Sequence, residues 1–163
     1  MAVDMFIKID DIKGESQDKA HKESIDVLAW SWGMSQSGSF HTGSGGGSGK
    51  VSIQDLSLTK YIDKSSSNLM KYCSSGNQYK EAKLTIRKAG GKEPLEYLII
   101  TMKDVIVTSL STGGSGGEDK LTENVSLNFR EVHVDYQAQK PDGSKDGGPI
   151  KYGWNIAENQ EAK

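Results

Sequence analysis

The chain has 163 residues, with 20 Lys and Arg against 22 Asp and Glu, and a formal net charge of −2. This length suits one domain, residues 1–163, with a polar tail at 157–163. The charge balance lacks the basic footprint that nucleic-acid binding demands, and the apolar runs are far shorter than the ~20 residues of a membrane span. We therefore predict a soluble globular domain without membrane insertion.

The N-terminal sequence MAVDMFIKIDD has no basic region followed by a long apolar region, so it predicts no signal peptide. Synthesis is then expected to end in the cytosol. The single cysteine, Cys73, excludes an intramolecular disulfide and a multi-cysteine metal site. If the protein is exported, we expect a route that no signal peptide announces.

Most of the chain alternates apolar and polar residues with period two, which is typical of strands with one buried face. In the first strand this face comprises Val3, Met5, Ile7 and Ile9. Between Glu23 and Met34 the apolar set changes phase, which predicts either a bulge or burial on both faces. The set is Ile25, Val27 and Ala29 before the change, and Leu28, Trp30 and Trp32 after it. A second phase change predicts a bulge near Gln54 and Asp55.

The second half of the chain continues the alternation. A segment with Ala82, Leu84 and Ile86 is followed by a long β-branched strand from Leu95 to Leu110, with a break at Lys103 and Asp104. The next strand changes phase at Arg130 and Glu131. The last strand places its apolar residues on one face, and these are Ile150, Tyr152, Trp154 and Ile156. About eight strands separated by glycine-rich turns predict a closed or nearly closed antiparallel β-barrel.

One helix is predicted within this β protein, from about Ser66 to Ser74. Ser65 is the expected N-cap, and Gly76 the expected left-handed residue after the C-terminus. Leu69, Tyr72 and Cys73 recur at helical spacing, so the helix should pack against the barrel through them. Cys73 is read as a small buried apolar residue in preference to a reactive thiol.

The glycine-rich stretch from Gly43 to Gly49, followed by Lys50, raises the question of a phosphate-binding loop. The P-loop pattern G-x-x-x-x-G-K-[ST] fails here, because Ser44 occupies its first glycine position and Val51 its hydroxyl position. A strand pattern follows the stretch where the P-loop requires a helix. Nucleotide binding is therefore disfavoured.

A second glycine-rich stretch satisfies the nucleophile-elbow pattern G-x-S-x-G with Ser115 as nucleophile. The elbow needs a helix after it, and the sequence predicts another strand, so a hairpin loop is the preferred interpretation. The histidines His21, His41 and His133 lack metal-ligand spacing and are read as solvated surface residues. We predict no catalytic constellation, cofactor or metal.

Several segments together resemble the Hcp (haemolysin-coregulated protein) family of Gram-negative bacteria. The first is AVDMFIKIDDIKGES near the start, and the others are YIDKSSSNLMKYCSSG, AKLTIRKAGG, EYLIITMKDVIVTSLSTGGSGGEDKLTENVSLNF and KDGGPIKYGWNI. The resemblance covers nearly the whole chain, from Ala2 to about Ile156.

The resemblance implies a β-barrel with a flanking helix that forms hexameric rings, which stack into the hollow inner tube of the type VI secretion system. It implies as partners the protein itself, a spike protein, the contractile sheath and baseplate, and effector proteins carried in the channel. It also implies secretion without a signal peptide, to the outside or into target cells. No fused toxin domain follows the barrel pattern, so the plain tube form is expected.

Within this picture we assign candidate contact residues. The loop expected to reach an adjacent subunit or ring comprises His41, Thr42, Gly43, Ser44, Gly45, Gly46, Gly47, Ser48, Gly49 and Lys50. A second loop contact comprises Gly113, Gly114, Ser115, Gly116 and Gly117. Candidate channel-lining residues are Ser31, Ser35 and Ser37. Trp30 and Trp32 suit either a subunit interface or the barrel core.

Two other functions stay open at this stage. One is a monomeric or dimeric ligand-binding or carbohydrate-binding barrel, whose Tyr152 and Trp154 would be exposed to stack on sugar rings. The other is a hydrolase that uses Ser115.

Overall fold

The computed structural model describes residues 3–38, 40–43, 49–88 and 93–163. The strands in this part of the chain are β1 (Asp4–Ile9), β2 (Ile25–Ser31), β3 (Met34–Ser35), β4 (Ser52–Ile53), β5 (Leu56–Tyr61), β6 (Gln78–Lys88), β7 (Leu95–Gly113), β8 (Thr122–Tyr136), β9 (Ile150–Asn155) and β10 (Gln160–Glu161). The helix α1 spans Ser66–Ser75, and a short 3₁₀ helix spans Phe40–Thr42.

The main sheet has eight antiparallel strands in the order β10-β9-β8-β5-β2-β1-β6-β7. A further pairing of β7 with β8 closes six of them into a barrel, while β9 and β10 continue the sheet outside it. The two short strands β3 and β4 form a separate ribbon. The predicted antiparallel barrel of about eight strands is thus confirmed, and closure removes most of the exposed strand edges.

The barrel interior is filled by the inward-facing residues of the alternating strands. In β6, Ala82, Leu84 and Ile86 are buried as predicted, and the facing residues of β7 and β8 complete the core. The buried apolar cluster includes Ile7, Ile9, Ile25, Val27, Leu56, Leu58, Ile100, Met102, Val105, Val107, Val125, Leu127, Phe129 and Val132.

The phase change in β2 is a bulge, which was one of the two predicted alternatives. The register to β5 shifts between Val27 and Ala29, so that Leu28 is the extra residue. The later phase change at Gln54 and Asp55 is a gap between two strands, β4 and β5, where a bulge within one strand was expected. The difference arises because β4 pairs with β3 and leaves the main sheet.

The long strands β7 and β8 change their buried face together. Met102 and Val105 are both buried while the two residues between them are exposed, and Asp104 has a positive φ of 53°. The register continues through this point, from Lys103 opposite Glu131 to Val105 opposite Phe129. The predicted break in β7 and the predicted phase change in β8 are therefore one feature of a paired ribbon.

Helix α1 lies within one residue of its predicted bounds and packs against β7. Gly76 has the expected left-handed conformation, with φ 72°, and its N–H donates to the Tyr72 carbonyl at 2.9 Å. Ser65 is the N-cap residue as predicted, but its side chain makes no capping bond, because its hydroxyl donates to Asp63 Oδ1 instead. Leu69 is fully buried, whereas Cys73 is half-buried against the core.

A buried ionic cluster joins the helix to two strands. Lys60 on β5 and Glu123 on β8 lie opposite each other, are fully buried and form an ion pair. The Lys60 Nζ also lies 3.1 Å from Asp63 Oδ1. Ser66, in the first turn of α1, donates to Glu123 Oε1 at 2.6 Å. Among the described residues Glu123 Oε2 has no hydrogen-bond partner, so the cluster is strongly dependent on the Lys60 cation.

Candidate functional site: the four-strand face and its arm

Four strand segments present one continuous surface on the outside of the barrel. They lie in the order β2, β5, β8 and β7, and comprise 29–31, 56–61, 122–127 and 109–113. We call their outward surface the four-strand face. It forms because β5 pairs with the first half of β8, while the last part of β7 pairs with β8 alone.

A row of four serines crosses this face, one from each strand. Ser31 lies opposite Ser57, Ser57 opposite Ser126, and Ser126 opposite Ser109. The hydroxyls of Ser57 and Ser126 are 3.3 Å apart and form a hydrogen bond. Such cross-strand pairs contribute about 0.2–1 kcal/mol each.

A second row runs beside the serines, and its members are Ala29, Thr59, Asn124 and Ser111. Here Thr59 Oγ1 donates to Asn124 Oδ1 at 2.7 Å. Neither row contains an ionisable side chain, and every side chain in them is short. The surface therefore offers hydroxyl and amide groups without a net electrostatic preference.

The four-strand face ends in an unpaired strand edge on each side. Among the described residues, 29–31 of β2 pair with β5 and no other strand, and 109–113 of β7 pair with β8 and no other strand. Unpaired backbone N–H and C=O groups of this kind can accept another strand.

The segment next to the face contains the β3–β4 ribbon, and we call its described residues, 33–38, 40–43 and 49–54, the arm. At its base the Trp32 Nε1 donates to the Gln54 carbonyl at 3.0 Å, and the Gln54 N–H donates to the Gly33 carbonyl at 2.9 Å. The Trp32 ring also packs against Phe129 of the barrel, with centroids 6.3 Å apart. The base of the arm is therefore tied to the core.

The Asp55 carboxylate connects the end of the arm to β7 and β8, at residues that directly adjoin the four-strand face. Asp55, the residue after the arm, accepts a hydrogen bond from Thr108 Oγ1 at 2.7 Å and one from Asn128 Nδ2 at 2.8 Å. Thr108 lies at a register shift between β7 and β8, immediately before the unpaired edge of β7. Asp55 thus bonds both long strands at the point where β7 loses its second neighbour.

The predicted contact loop lies in this arm, and the structure describes part of it. Residues 44–48 lie outside the described residues, as does the side chain of Thr42. His41 is exposed beside Phe40, whose side chain is 83% exposed. At Gly49 an added Cβ would lie 2.0 Å from Ser37 Oγ, so this glycine permits a close approach within its own chain.

The three predicted channel-lining serines lie in two different places. Ser31 belongs to the serine row of the four-strand face. Ser35 pairs with Ser52 in the ribbon of the arm, and Ser37 follows it as an exposed residue. The structure thus brings Ser31 together with three serines that the sequence interpretation did not select. Only the cross-strand register could have identified them.

The second predicted loop, 113–117, is the tip of the β7–β8 hairpin. Gly113 is the last residue of β7, and the Glu118 N–H donates to the Ser115 carbonyl at 3.2 Å in a turn. An added Cβ at Gly114 would lie 2.2 Å from the Leu121 side chain, so this glycine also packs within its own chain. Strand β8 follows the loop, and the helix that a nucleophile elbow requires does not.

Two of the histidines are less solvated than predicted. His21 stacks on Phe6 with centroids 4.6 Å apart, and its Nε2 is 2.7 Å from Glu96 Oε1. The expectation of a solvated residue is wrong here, because the loop that carries His21 folds against the barrel. His133 is partly buried and bonds Glu131 at 2.9 Å; this hydrogen bond lowers the pKa of the Glu131 carboxyl.

An ion pair holds the same loop in place. Both oxygens of the Asp18 carboxylate accept hydrogen bonds from the Arg87 guanidinium. This bonding lowers the pKa of Asp18 to about 2. Arg87 also bonds Asp4 and lies over the Phe6 ring, 5.2 Å from its centroid.

The aromatic residues at the end of the chain only partly suit a sugar-binding surface. Trp154 is half-buried against the core, whereas Tyr152 is 37% exposed and its hydroxyl lies 3.9 Å from Met34 Sδ in the arm. Trp30 and Trp32 likewise pack against the core.

Within the described ranges, no three His, Cys, Asp or Glu side chains are grouped to hold a metal ion. No helix in these ranges is long and apolar enough to span a bilayer.

The fold and this site define a β-barrel protein with a sheet face of short, uncharged side chains between two unpaired strand edges. A model of the family described as "Type VI secretion system effector, Hcp" matches residues 6–136. The chain belongs to the Hcp family of type VI secretion proteins, a family of secreted structural components that is not known for catalysis. The family resemblance expected from the sequence is thereby confirmed.

Individual relatives agree with this assignment. The protein Hcp1 of Pseudomonas aeruginosa is 74% identical over 162 residues, which cover 99% of this chain and 100% of that protein. The crystal structure of Hcp1 from Salmonella typhimurium is 44% identical, with a TM-score of 0.82 over 99% of this chain and 100% of that one. A further structure of a type VI secretion system protein is 29% identical, with a TM-score of 0.92 and the same coverage.

Proposed function

We propose that this protein is the subunit of a type VI secretion tube, in which six copies form a ring and rings stack into a hollow cylinder. The observation that carries the proposal is the four-strand face, an uncharged surface bounded by two unpaired strand edges. Its unpaired edges suit ring closure, and its composition suits the lining of a channel.

The two edges are complementary in direction. Strand directions alternate across β2, β5, β8 and β7, because every pairing in the face is antiparallel. The β7 edge of one copy placed beside the β2 edge of the next therefore continues the antiparallel alternation. A head-to-tail contact of this kind closes into a ring when the rotation per copy divides the circle.

The dimensions support a channel wide enough for cargo. Six copies of a four-strand face give 24 strands, and at about 4.8 Å per strand the backbone circumference is roughly 115 Å. The corresponding diameter is roughly 37 Å, and strand tilt increases it. A small protein domain is about 30 Å across.

The chemistry of the face supports passage and transient binding of effector proteins. Short hydroxyl and amide side chains leave the channel open and provide no fixed charge that would hold a cargo of one sign. In this proposal the serine row containing Ser31 faces the channel. Ser35 and Ser37, together with the loops at 41–50 and 113–117, make contacts between subunits or stacked rings.

The remaining partners follow from the same role. A spike protein caps the tube, and a contractile sheath on a baseplate drives it out of the cell, so that the subunit is secreted without a signal peptide and delivered into target cells.

Size-exclusion chromatography with light scattering tests the proposal directly. Six chains of 17.7 kDa give about 106 kDa, and negative-stain images of that species should show rings with a central hole. A monomer at all concentrations would contradict the ring and favour the ligand-binding barrel.

A further inference from the structure

We propose that Asp55 is a positioning residue for assembly, which fixes the arm relative to the unpaired edge of β7. The inference rests on the proposed function, in which both the arm and this edge meet neighbouring subunits. Asp55 itself would contact no partner; it acts through the two elements that it joins.

Asp55 lies where the end of the arm meets both long strands. It follows the arm directly, in the gap between β4 and β5, and its half-buried side chain bonds to Thr108 of β7 and Asn128 of β8. Hydrogen bonds to an ionised carboxylate are stronger than bonds between neutral groups. The Asp55 carboxylate therefore forms a strong link between the end of the arm, β7 and β8.

Thr108 lies just beyond the last residue of β7 that pairs with β6. The β6–β7 pairing ends at Ile106, and the register between β7 and β8 shifts between Val107 and Ser109. Beyond this point β8 is the only strand that pairs with β7 in the described part of the chain. Bulges re-aim the strand that carries them, so a bond to Thr108 fixes the direction in which the β7 edge leaves the barrel.

The other contacts of the arm do not fix this relation. Trp32 and Gln54 bond each other across the base, and Trp32 packs on Phe129. These contacts hold the arm to the core, but none of them reaches the bulge in β7. Loss of Asp55 should thus leave the barrel folded and allow the arm and the edge to move independently.

The main experiment compares the variants Asp55→Ala, Asp55→Asn and Thr108→Val with the full-length wild type. Asp11→Ala, which removes an exposed carboxylate from the loop after β1, is the matched control. Sedimentation velocity over a concentration series gives the midpoint of ring assembly, and thermal unfolding reports the fold.

We expect Asp55→Ala and Thr108→Val to raise the midpoint concentration of ring assembly about tenfold, with the unfolding temperature nearly unchanged. Asp55→Asn retains an oxygen acceptor and should recover part of the loss, and Asp11→Ala should match the wild type. Thr108 Oγ1 also lies 3.2 Å from the Ser126 carbonyl, so the test of coupling is that the double variant Asp55→Ala/Thr108→Val loses less than the sum of the two single variants. Rings that form at the wild-type concentration in Asp55→Ala would overturn the inference.

If the wild type itself forms no ring, the proposed function fails. A second measurement, made on the monomer, then tests the positioning role by itself. Spin labels at Ser35→Cys in the arm and Ser111→Cys on the β7 edge, in a Cys73→Ala background, report their distance in the monomer. Asp55→Ala should broaden the distance distribution relative to Asp11→Ala. Identical distributions would refute the positioning role whether or not rings form.

Discussion

At the scale of single residues, the buried ion pair of Lys60 and Glu123 is the most consequential feature that apolar periodicity did not predict. Both residues continue the inward phase of their strands, after Leu58 on β5 and before Val125 on β8. Both residues therefore occupy core-facing positions, although neither of them is apolar. Their direct opposition across β5 and β8 makes that burial possible.

The substitution Lys60→Met should destabilise the fold by about 3–5 kcal/mol, because it leaves the Glu123 carboxylate and the neighbouring Asp63 without a buried cation. Urea unfolding at neutral pH measures the loss. The double variant Lys60→Met/Glu123→Leu removes both partners and should recover most of the stability. A single variant as stable as the wild type would show that the cluster contributes little.

At the scale of elements, the glycine-rich loops have a more local explanation than the sequence suggested. Gly49 and Gly114 each permit close packing against a side chain of their own segment, Ser37 in the arm and Leu121 in the hairpin. By contrast, an added Cβ at Gly43, Gly113, Gly116 or Gly117 would meet nothing within 4 Å. The assignment of these loops to contacts between subunits stays a prediction.

Shortening of the arm tests that assignment. Deletion of residues 44–48 keeps Gly49 and its packing on Ser37, so we expect the variant to fold with an unchanged unfolding temperature while tube assembly weakens. Electron microscopy and sedimentation measure the assembly. A control that rearranges the same five residues, from SGGGS to GSGSG, keeps length and composition and should assemble normally. Tubes of wild-type stability in the deletion would remove the arm from the assembly interface.

At the scale of the whole molecule, ring closure predicts a specific change in hydrogen exchange. Backbone amides of 29–31 and 109–113 should exchange more slowly in the ring than in a monomeric state, because pairing between copies protects the edge amides that solvent reaches in one copy alone. Hydrogen exchange with mass spectrometry on the two separated states measures this difference.

The internal control lies in the same strand. Residues 98–106 of β7 are paired with β6 as well as β8, so their exchange should change far less. Equal protection of the edges in both states would mean that the ring closes through another surface.

Much of the fold follows from the sequence because local patterns report local geometry. Alternation identified the long strands and located the phase changes in β2, β7 and β8, and helical spacing with Gly76 located α1 to within a residue. The register then selected the bulge in β2 over burial on both faces, and joined the changes in β7 and β8 into one feature. At Ser65 the N-cap position was correct and the capping bond was not. The Ser65 hydroxyl donates to Asp63 instead, and residue type alone does not decide between these two acceptors.

The tertiary structure alone decided which strands are neighbours. Period two assigns each residue to a face, but the strand opposite it depends on pairing between segments far apart in sequence. Ser31 could be named as a candidate from its strand, whereas Ser57, Ser109 and Ser126 join it only because β2, β5, β8 and β7 pair in this register. The sequence determined the barrel and its family; long-range strand pairing decided the four-strand face, its two open edges and the bonds of Asp55 to both long strands.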